Sequence, residues 1–180
     1  MEAKSIILAT GARSRELPAL PIDDKRIIGY RKAMTLEQMP KRLVVVGSGA
    51  IGVEFAYFYR TMGAEVTVVE YLPRIVPVED EEVSRQMEKS FRKIGVTVLT
   101  SAEVTGVDTS GAGCNVTVKT AKGDQQIECD MVLSAAGVGT NIANMGLEEL
   151  GIKVEKGRLL GADFYQTNEP GIYDIGGIVP

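Results

Sequence analysis

The residues of this 180-residue chain that are best suited to chemistry are three glycines and one carboxylate. Residues 47–52 read GSGAIG and directly follow the apolar run Leu43–Val46. In a dinucleotide-binding fingerprint the first glycine permits a tight turn, the second lets the backbone approach a pyrophosphate, and the third lets a helix pack closely on the sheet. The pattern therefore predicts that a nucleotide diphosphate binds to the free N–H groups at the start of a helix.

Glu70 supplies the acid that the same fingerprint requires, about 20 residues beyond the glycines. A carboxylate at this place can accept hydrogen bonds from both ribose hydroxyls, and it repels the 2′-phosphate of NADP(H). No arginine or lysine takes its place. We therefore predict that the ligand is NAD(H) rather than NADP(H), with FAD as the rival because FAD domains carry the same fingerprint.

A strand, a helix and a second strand must position these residues. Residues 43–46 form a continuous apolar run, which is typical of a strand buried on both faces of a parallel sheet. Residues 50–62 change to helical spacing and end at Gly63, and residues 65–70 form a second apolar run. The sequence therefore predicts a Rossmann-like βαβ unit over residues 43–70.

Further elements are predicted on both sides of this unit. An amphipathic helix is expected over residues 79–94 and a parallel strand over 96–99. Residues 102–129 lose the helical period and predict a three-stranded antiparallel meander, before an apolar strand at 131–135. A short helix is expected at 35–38, closed by Pro40. The apolar stripe of the amphipathic helix is Val83, Met87, Phe91 and Ile94. Strands are also expected at 5–9 and 172–175. The predicted fold class is α/β with a parallel central sheet.

Composition excludes several other kinds of chemistry. The chain has no histidine, and Cys114 and Cys129 lack the spacing of a redox motif or a metal site, so we expect no metal and two buried spectator thiols. The net charge of −4 argues against a nucleic-acid partner. No apolar run approaches the roughly 20 residues that span a bilayer, and no signal peptide is recognisable, so a soluble cytoplasmic protein is expected.

The glycine motif continues as Val53-Glu54, and Thr10-Gly11 and Gly137 lie on either side of it. This arrangement resembles the flavoprotein disulfide reductases that bind two dinucleotides, and within them most closely the dihydrolipoyl dehydrogenases. The resemblance covers essentially the whole chain, including VTVVEYLPRIVPVEDEEV and YQTNEPGIYDIGGIVP. It implies that the meander is the crossover found in the nucleotide domains of that family.

The resemblance implies a middle portion of a longer flavoenzyme. Residues 1–35 would be the end of an FAD-domain segment and a linker, 36–155 the NAD-binding domain, and 156–180 the start of the return to the FAD domain. The partners would be NAD(H), the FAD and dimerisation domains of the same enzyme, and a lipoyl-bearing protein. Electrons would pass from dihydrolipoamide through a disulfide and FAD to NAD.

The family's functional positions can be transferred residue by residue. The reactive disulfide and the histidine base have no counterpart in this sequence, so no catalytic residue is assigned and the isolated chain is expected to be inactive. Glu70 matches the family's acid that binds the adenosine ribose, and Val104 matches an apolar residue beside the adenine. Gly137 matches a glycine that passes close to the nicotinamide, and Thr10-Gly11 matches the place where the chain crosses near FAD. The residues assigned to cofactor binding are Gly47, Ser48, Gly49, Ala50, Ile51, Gly52, Val53, Glu54, Glu70, Val104, Gly137, Thr10 and Gly11.

The chain departs from the family pattern near its tail. The family's FAD signature ends Gly-Asp, whereas this sequence has Gly176-Gly177, and a basic pair expected after Gly137 is replaced by Val138-Gly139. Because glycine has no side chain to bind the ribityl chain of a flavin, we do not expect this chain to retain FAD. Two alternatives remain open. One is another flavoprotein reductase of the same architecture, of the NADH oxidase or ferredoxin reductase type. The other is a stand-alone, non-catalytic NAD(H)-binding module, which would explain the missing acid at position 177 and the absent catalytic groups.

Overall fold

The computed structural model describes residues 3–161 and 163–179. Within these ranges the elements combine short strands with three α-helices. In chain order they are β1 Ile6–Leu8, β2 Ala12–Ser14, β3 Ile27–Ile28, α1 Tyr30–Ala33, β4 Arg42–Val46, α2 Ala50–Thr61, β5 Glu65–Val69, α3 Glu81–Lys93, β6 Thr97–Leu99, β7 Glu103–Asp108, β8 Cys114–Thr120, β9 Gly123–Cys129, β10 Met131–Ser134, β11 Val138–Thr140, β12 Val154–Glu155, β13 Arg158–Leu159 and β14 Ile172–Asp174.

The chain divides into two compact units, a larger one over residues 14–137 and a smaller one over 1–13 and 138–180. These boundaries differ from the predicted divisions after residues 35 and 155. The first differs because β3, which precedes residue 35, pairs with β10 in the central sheet. The second differs because the hairpin of β12 and β13 spans residue 155. The assignment of the units to cofactor domains remains a prediction.

The larger unit contains a five-stranded parallel sheet in the order β3-β10-β4-β5-β6. The predicted βαβ unit is confirmed, since β4 and β5 pair in parallel from Arg42 with Glu65 to Val46 with Val69. Val45 packs with α2 and α3 on one face of the sheet, whereas Val44 and Val46 pack with the meander on the other. Apolar contact on both faces explains why residues 43–46 form a continuous apolar run rather than an alternating one.

The two longer helices begin and end close to the predicted places. α2 ends before Gly63, whose φ of +103° suits the left-handed cap residue that terminates a helix. α3 begins after Asp80, whose side chain accepts a hydrogen bond from the Glu82 N–H. Of the predicted stripe on α3, Phe91 is buried, Met87 is partly buried, and Val83 and Ile94 are exposed.

The short helix predicted at 35–38 is wrong. The helical turn is α1, which lies earlier and begins directly after Gly29. Burial explains the position, because Ala33 packs in the core and its carbonyl accepts a hydrogen bond from the Tyr59 hydroxyl at 2.6 Å. The Thr35 hydroxyl donates to the Lys32 carbonyl as α1 ends.

The predicted meander is confirmed as the antiparallel sheet β7-β8-β9. The register of β7 with β8 shifts between Val104 and Gly106, whereas β8 and β9 pair in continuous register. In the part of the chain that the structure describes, no helix combines the length and apolar character needed to cross a membrane.

The smaller unit contains the two predicted terminal strands, β1 and β14, which pair in parallel from Ile6 with Ile172 to Leu8 with Asp174. Its separate core is formed by Leu147, Ile152, Leu159 and Ile178. Asp174, the last residue of β14, is fully buried.

Candidate functional site

The site lies where the order of strands in the central sheet reverses. β4 lies between β5 and β10; the chain runs from β4 to β5 and β6 on one side, then returns to β10 on the other. Ligands of open α/β sheets bind at the carboxyl ends of the strands at such a point. The glycine turn follows β4, Glu70 follows β5, and Gly137 follows β10. The structure therefore brings these three predicted features to the same end of one sheet.

Two of the three glycines are required by the packing of the turn itself. Gly47 has a φ of +98°, and a Cβ atom there would lie 2.5 Å from the Ala135 carbonyl oxygen. A Cβ atom on Gly52 would overlap the Gly47 carbonyl group. Because neither glycine has a Cβ atom, the start of α2 can pack closely against the ends of β4 and β10, as the fingerprint predicts.

The middle glycine, Gly49, has a different environment. A Cβ atom at Gly49 would have no protein atom within 4 Å, and its φ of −67° is open to any residue. Gly49 is the N-cap of α2 and provides no side-chain cap for the helix. The first-turn N–H groups of a helix have no partner within the helix, so this end of α2 offers donors and positive charge to an anion. The packing of the described residues therefore does not account for glycine at position 49, whereas an approaching diphosphate would.

Glu70 is buried against the glycine turn, with only 7% of its surface exposed. Its Oε2 accepts hydrogen bonds from the Ser48 N–H at 2.8 Å and the Ser48 hydroxyl at 2.6 Å. Among the described residues, the bond that its Oε1 accepts comes from the Leu72 N–H at 2.8 Å. Since a carboxylate oxygen can accept two hydrogen bonds, Oε1 keeps capacity for a ribose hydroxyl while Oε2 fixes the turn.

Sequence reasoning missed this structural role of Glu70. It assigned the carboxylate to the ligand and did not identify Ser48 or Leu72 as its partners. The signal that could have found them is the parallel register of Val46 with Val69, which places the residues following β4 beside those following β5. A hydroxyl in the glycine turn is then within reach of the acid.

The segment after Glu70 also contacts the turn. The Val76 N–H donates to the Ser48 carbonyl at 3.0 Å, and the Ala102 N–H donates to the Glu70 carbonyl at 2.9 Å. The second bond places the start of β7, which carries Val104, beside the acid. Val104 itself is partly buried among the apolar residues of the meander. Arg74, the one basic residue in segment 71–80, donates to the Pro77 carbonyl.

The remaining predicted residues lie in varied surroundings. Glu54 is exposed on α2. Gly137 has a φ of +100°, and its carbonyl accepts a hydrogen bond from the Arg15 N–H. Thr10 and Gly11 belong to the smaller unit, where their carbonyl groups accept hydrogen bonds from the side chain and backbone of Asn141.

The tail does not fit the flavin contact that the resemblance implies. Gly177 has no side chain, and a Cβ atom there would lie 3.2 Å from the Ala12 Cβ atom. Asp174 is fully buried, and neither of its carboxylate oxygens has a hydrogen-bond partner on another described residue. Burial raises the pKa of this carboxyl group.

We expect Asp174→Asn to stabilise the chain more at high pH than at low pH. Because the pKa is raised, the folded chain holds the Asp174 proton more tightly than the unfolded chain does. Below the ordinary carboxyl pKa the group is protonated in both states, so Asp174 then costs no free energy of unfolding through its charge. The cost grows as the pH rises above that value and is complete above the raised pKa. Thermal unfolding should show a midpoint increase of about 3–6 °C near pH 8 and little change near pH 4.

The control for this substitution is Asp124→Asn, which removes one carboxylate from the exposed strand β9. It should leave the unfolding midpoint nearly unchanged at both pH values. An increase for Asp174→Asn that is equal at the two pH values would contradict a raised carboxyl pKa.

The sheet order, the glycine turn and the buried acid define a nucleotide-binding fold of the Rossmann-like α/β class, with helices on one face of the sheet and the meander on the other. Residues 1–180 match the family described as pyridine nucleotide-disulphide oxidoreductase, and the chain belongs to that family of oxidoreductases. It is 48% identical over 177 residues to a dihydrolipoyl dehydrogenase of Rhizobium etli, covering 98% of this chain and 37% of that protein.

Two solved structures extend the comparison. LpdA from Mycobacterium tuberculosis superposes with a TM-score of 0.87 at 34% identity, over 99% of this chain and 39% of that one. A ferredoxin reductase from Rhodopseudomonas palustris superposes with a TM-score of 0.84 at 26% identity, over 99% of this chain and 45% of that one. The chain thus spans less than half the length of these relatives.

Proposed function

We propose that the larger unit binds NAD(H), and that this chain is the NAD(H)-binding portion of a dihydrolipoyl dehydrogenase. The observation that carries the proposal is the contrast among the three glycines. Gly47 and Gly52 are required by close backbone packing, whereas Gly49 faces open space at the start of α2. A diphosphate that approaches the backbone there accounts for the glycine at position 49.

The choice of NAD(H) over NADP(H) depends on Glu70. A 2′-phosphate beside this residue would face a carboxylate that three protein hydrogen bonds hold in place. The carboxylate could move away from a 2′-phosphate only by breaking these three bonds, and the Ser48 and Leu72 donors would then lose their acceptor. Repulsion and restraint together therefore favour the unphosphorylated ribose.

We propose that the complete protein oxidises dihydrolipoamide and passes the electrons to NAD. The support is the 48% identity with a dihydrolipoyl dehydrogenase across nearly the whole chain. The sequence has no histidine, and Cys114 and Cys129 lack the CxxxxC spacing of the family's reactive disulfide, so neither the histidine base nor that disulfide is present in these residues. Binding and orienting the nicotinamide nucleotide is the part of the reaction that these residues can perform.

A stand-alone NAD(H)-binding module is the second candidate. It is favoured by the tail, where Gly177 has no side chain to contact a flavin. A flavoprotein reductase of the ferredoxin reductase type has the support of one superposed structure. The open reading frame around this segment discriminates among the three, because a CxxxxC after an FAD fingerprint favours the disulfide enzymes.

Titration calorimetry with NADH and NADPH tests the proposal. The chain should bind NADH at least about tenfold more tightly, which corresponds to about 1.4 kcal/mol. Glu70→Ala should weaken NADH binding by about 1–3 kcal/mol, because hydrogen-bonding groups lose their partner. Glu70→Gln removes the charge but keeps the side-chain volume, so the affinities for NADH and NADPH should become more nearly equal.

Glu65→Gln is the matched control, since Glu65 is exposed at the opposite end of the same strand, β5. It should leave both affinities unchanged. Equal or stronger binding of NADPH by the unmodified chain would contradict the role of Glu70, and absence of NADH binding would contradict the proposed function as a whole.

A further inference from the structure

The two cysteines face each other across the meander. Cys114 is the first residue of β8 and Cys129 the last residue of β9, and they are direct partners in the antiparallel register. Both thiols are free, with exposed fractions of 3% and 1%. The sequence spacing predicts no redox disulfide and thiols that are buried or spectators, but the hairpin of β8 and β9 places the two residues opposite each other.

The geometry of this pair suits a covalent bridge. Directly opposed residues in antiparallel strands have Cα atoms about 4.5–5.5 Å apart. Disulfides join Cα atoms about 4.4–6.8 Å apart. Because β8 and β9 pair from Cys114 to Thr120 in continuous register, the hairpin keeps the two cysteines directly opposite each other.

We propose that Cys114 and Cys129 are an oxidisable dithiol that hydrogen peroxide converts to a cross-strand disulfide. The Cys114 sulfur attacks one peroxide oxygen, the O–O bond breaks, and a sulfenic acid and one water are formed. The Cys129 sulfur then attacks the sulfenic sulfur, the S–S bond forms, the S–O bond breaks, and a second water leaves. Two thiols are oxidised, and one peroxide is reduced to two waters.

The surroundings assign the two steps to different cysteines. The Arg26 guanidinium donates to the Gly113 carbonyl, beside Cys114. Burial raises the pKa of the Cys114 thiol, and the charge of Arg26 opposes this rise. Burial raises the pKa of the Cys129 thiol to about 12. Burial makes both thiols slow toward peroxide, but the charge of Arg26 makes Cys114 the faster of the two, so Cys114 is assigned the attack on peroxide and Cys129 is the resolving thiol.

The bridge would lie away from the nucleotide site. Cys129 is followed by Asp130, whose carboxylate accepts hydrogen bonds from the Lys41 and Arg42 N–H groups where β4 begins. The glycine turn lies at the other end of β4. Oxidation should therefore stabilise the meander while leaving NADH affinity within about twofold of the reduced value, a change under 0.5 kcal/mol.

The test is to treat the reduced chain with hydrogen peroxide and count the remaining thiols after denaturation. Both thiols should disappear in monomeric protein and return on reduction with dithiothreitol. Trypsin cuts at Lys119 and Lys122, between the two cysteines, so mass spectrometry of the unreduced digest should find their two peptides joined. The oxidised chain should unfold several degrees higher, because a cross-link restricts the unfolded chain.

Single variants test the order of the steps. In the Cys129→Ser variant the sulfenic acid on Cys114 has no resolving thiol, so dimedone should label Cys114. This labelling should be stronger than the dimedone labelling of Cys129 in the Cys114→Ser variant. The thiol count on the unmodified chain does not depend on either variant folding. Persistence of both thiols, disulfide-linked dimers, or irreversible sulfinic acid without joined peptides would overturn the proposal.

Discussion

Replacing Gly52 with alanine is expected to destabilise the chain by about 3 kcal/mol and to abolish detectable NADH binding. A Cβ atom at this position would overlap the Gly47 carbonyl group. Backbone atoms cannot move aside as the end of a flexible side chain can. The start of α2 must therefore move away from the strand ends, and this displaces the N–H groups that would bind the diphosphate. Urea unfolding measures the first effect, and calorimetric titration with NADH measures the second.

The control for Gly52→Ala is Gly106→Ala. Gly106 lies in β7, where an added Cβ atom would have no neighbour within 4 Å and φ is outside the left-handed region. Its effect on stability should stay within about 0.5 kcal/mol. Unfolding of Gly52→Ala at the same urea concentration as the unmodified chain would show that α2 does not depend on this close approach.

Replacing Gly49 with serine is expected to have opposite effects on stability and binding. The backbone of Gly49 is extended, with φ −67° and ψ −176°, and space is open around its Cβ position. Serine is a favourable N-cap residue, so stability should be unchanged or higher by up to about 1 kcal/mol. The same side chain occupies the N–H groups and the space that a diphosphate would need. NADH affinity should therefore fall at least about tenfold, or 1.4 kcal/mol.

The two glycine variants together separate packing from binding. Gly52→Ala should lose both stability and affinity, whereas Gly49→Ser should lose affinity alone. If Gly49→Ser binds NADH as tightly as the unmodified chain, the diphosphate does not approach this backbone and the fingerprint has only a structural role.

The sequence was sufficient to predict the central unit because its periods are long and unambiguous. Four consecutive apolar residues, 43–46, followed by helical spacing and a second apolar run, leave one arrangement that buries both strands. The short elements could not be predicted in this way. β3, for example, is Ile27–Ile28, and two residues establish no period.

The candidate site was predicted in composition but not in its internal contacts. Gly47, Gly52 and Glu70 follow from the fingerprint, but the bonds from Ser48 to Glu70 depend on how two strand ends meet. The proximity of Cys114 to Cys129 likewise depends on the register of one hairpin. Sequence spacing alone does not specify such contacts, because a shift of one residue in register would separate the partners.

The most direct test of nucleotide binding is a titration of the isotopically labelled chain with NADH, followed by amide chemical shifts. We predict saturable shifts that are largest for the amides of residues 47–53, at the glycine turn and the start of α2, with a second group at Glu70–Leu72. NADPH at the same concentrations should produce much smaller shifts at these amides. Saturable shifts confined to other parts of the chain, or equal shifts with NADPH, would contradict the account.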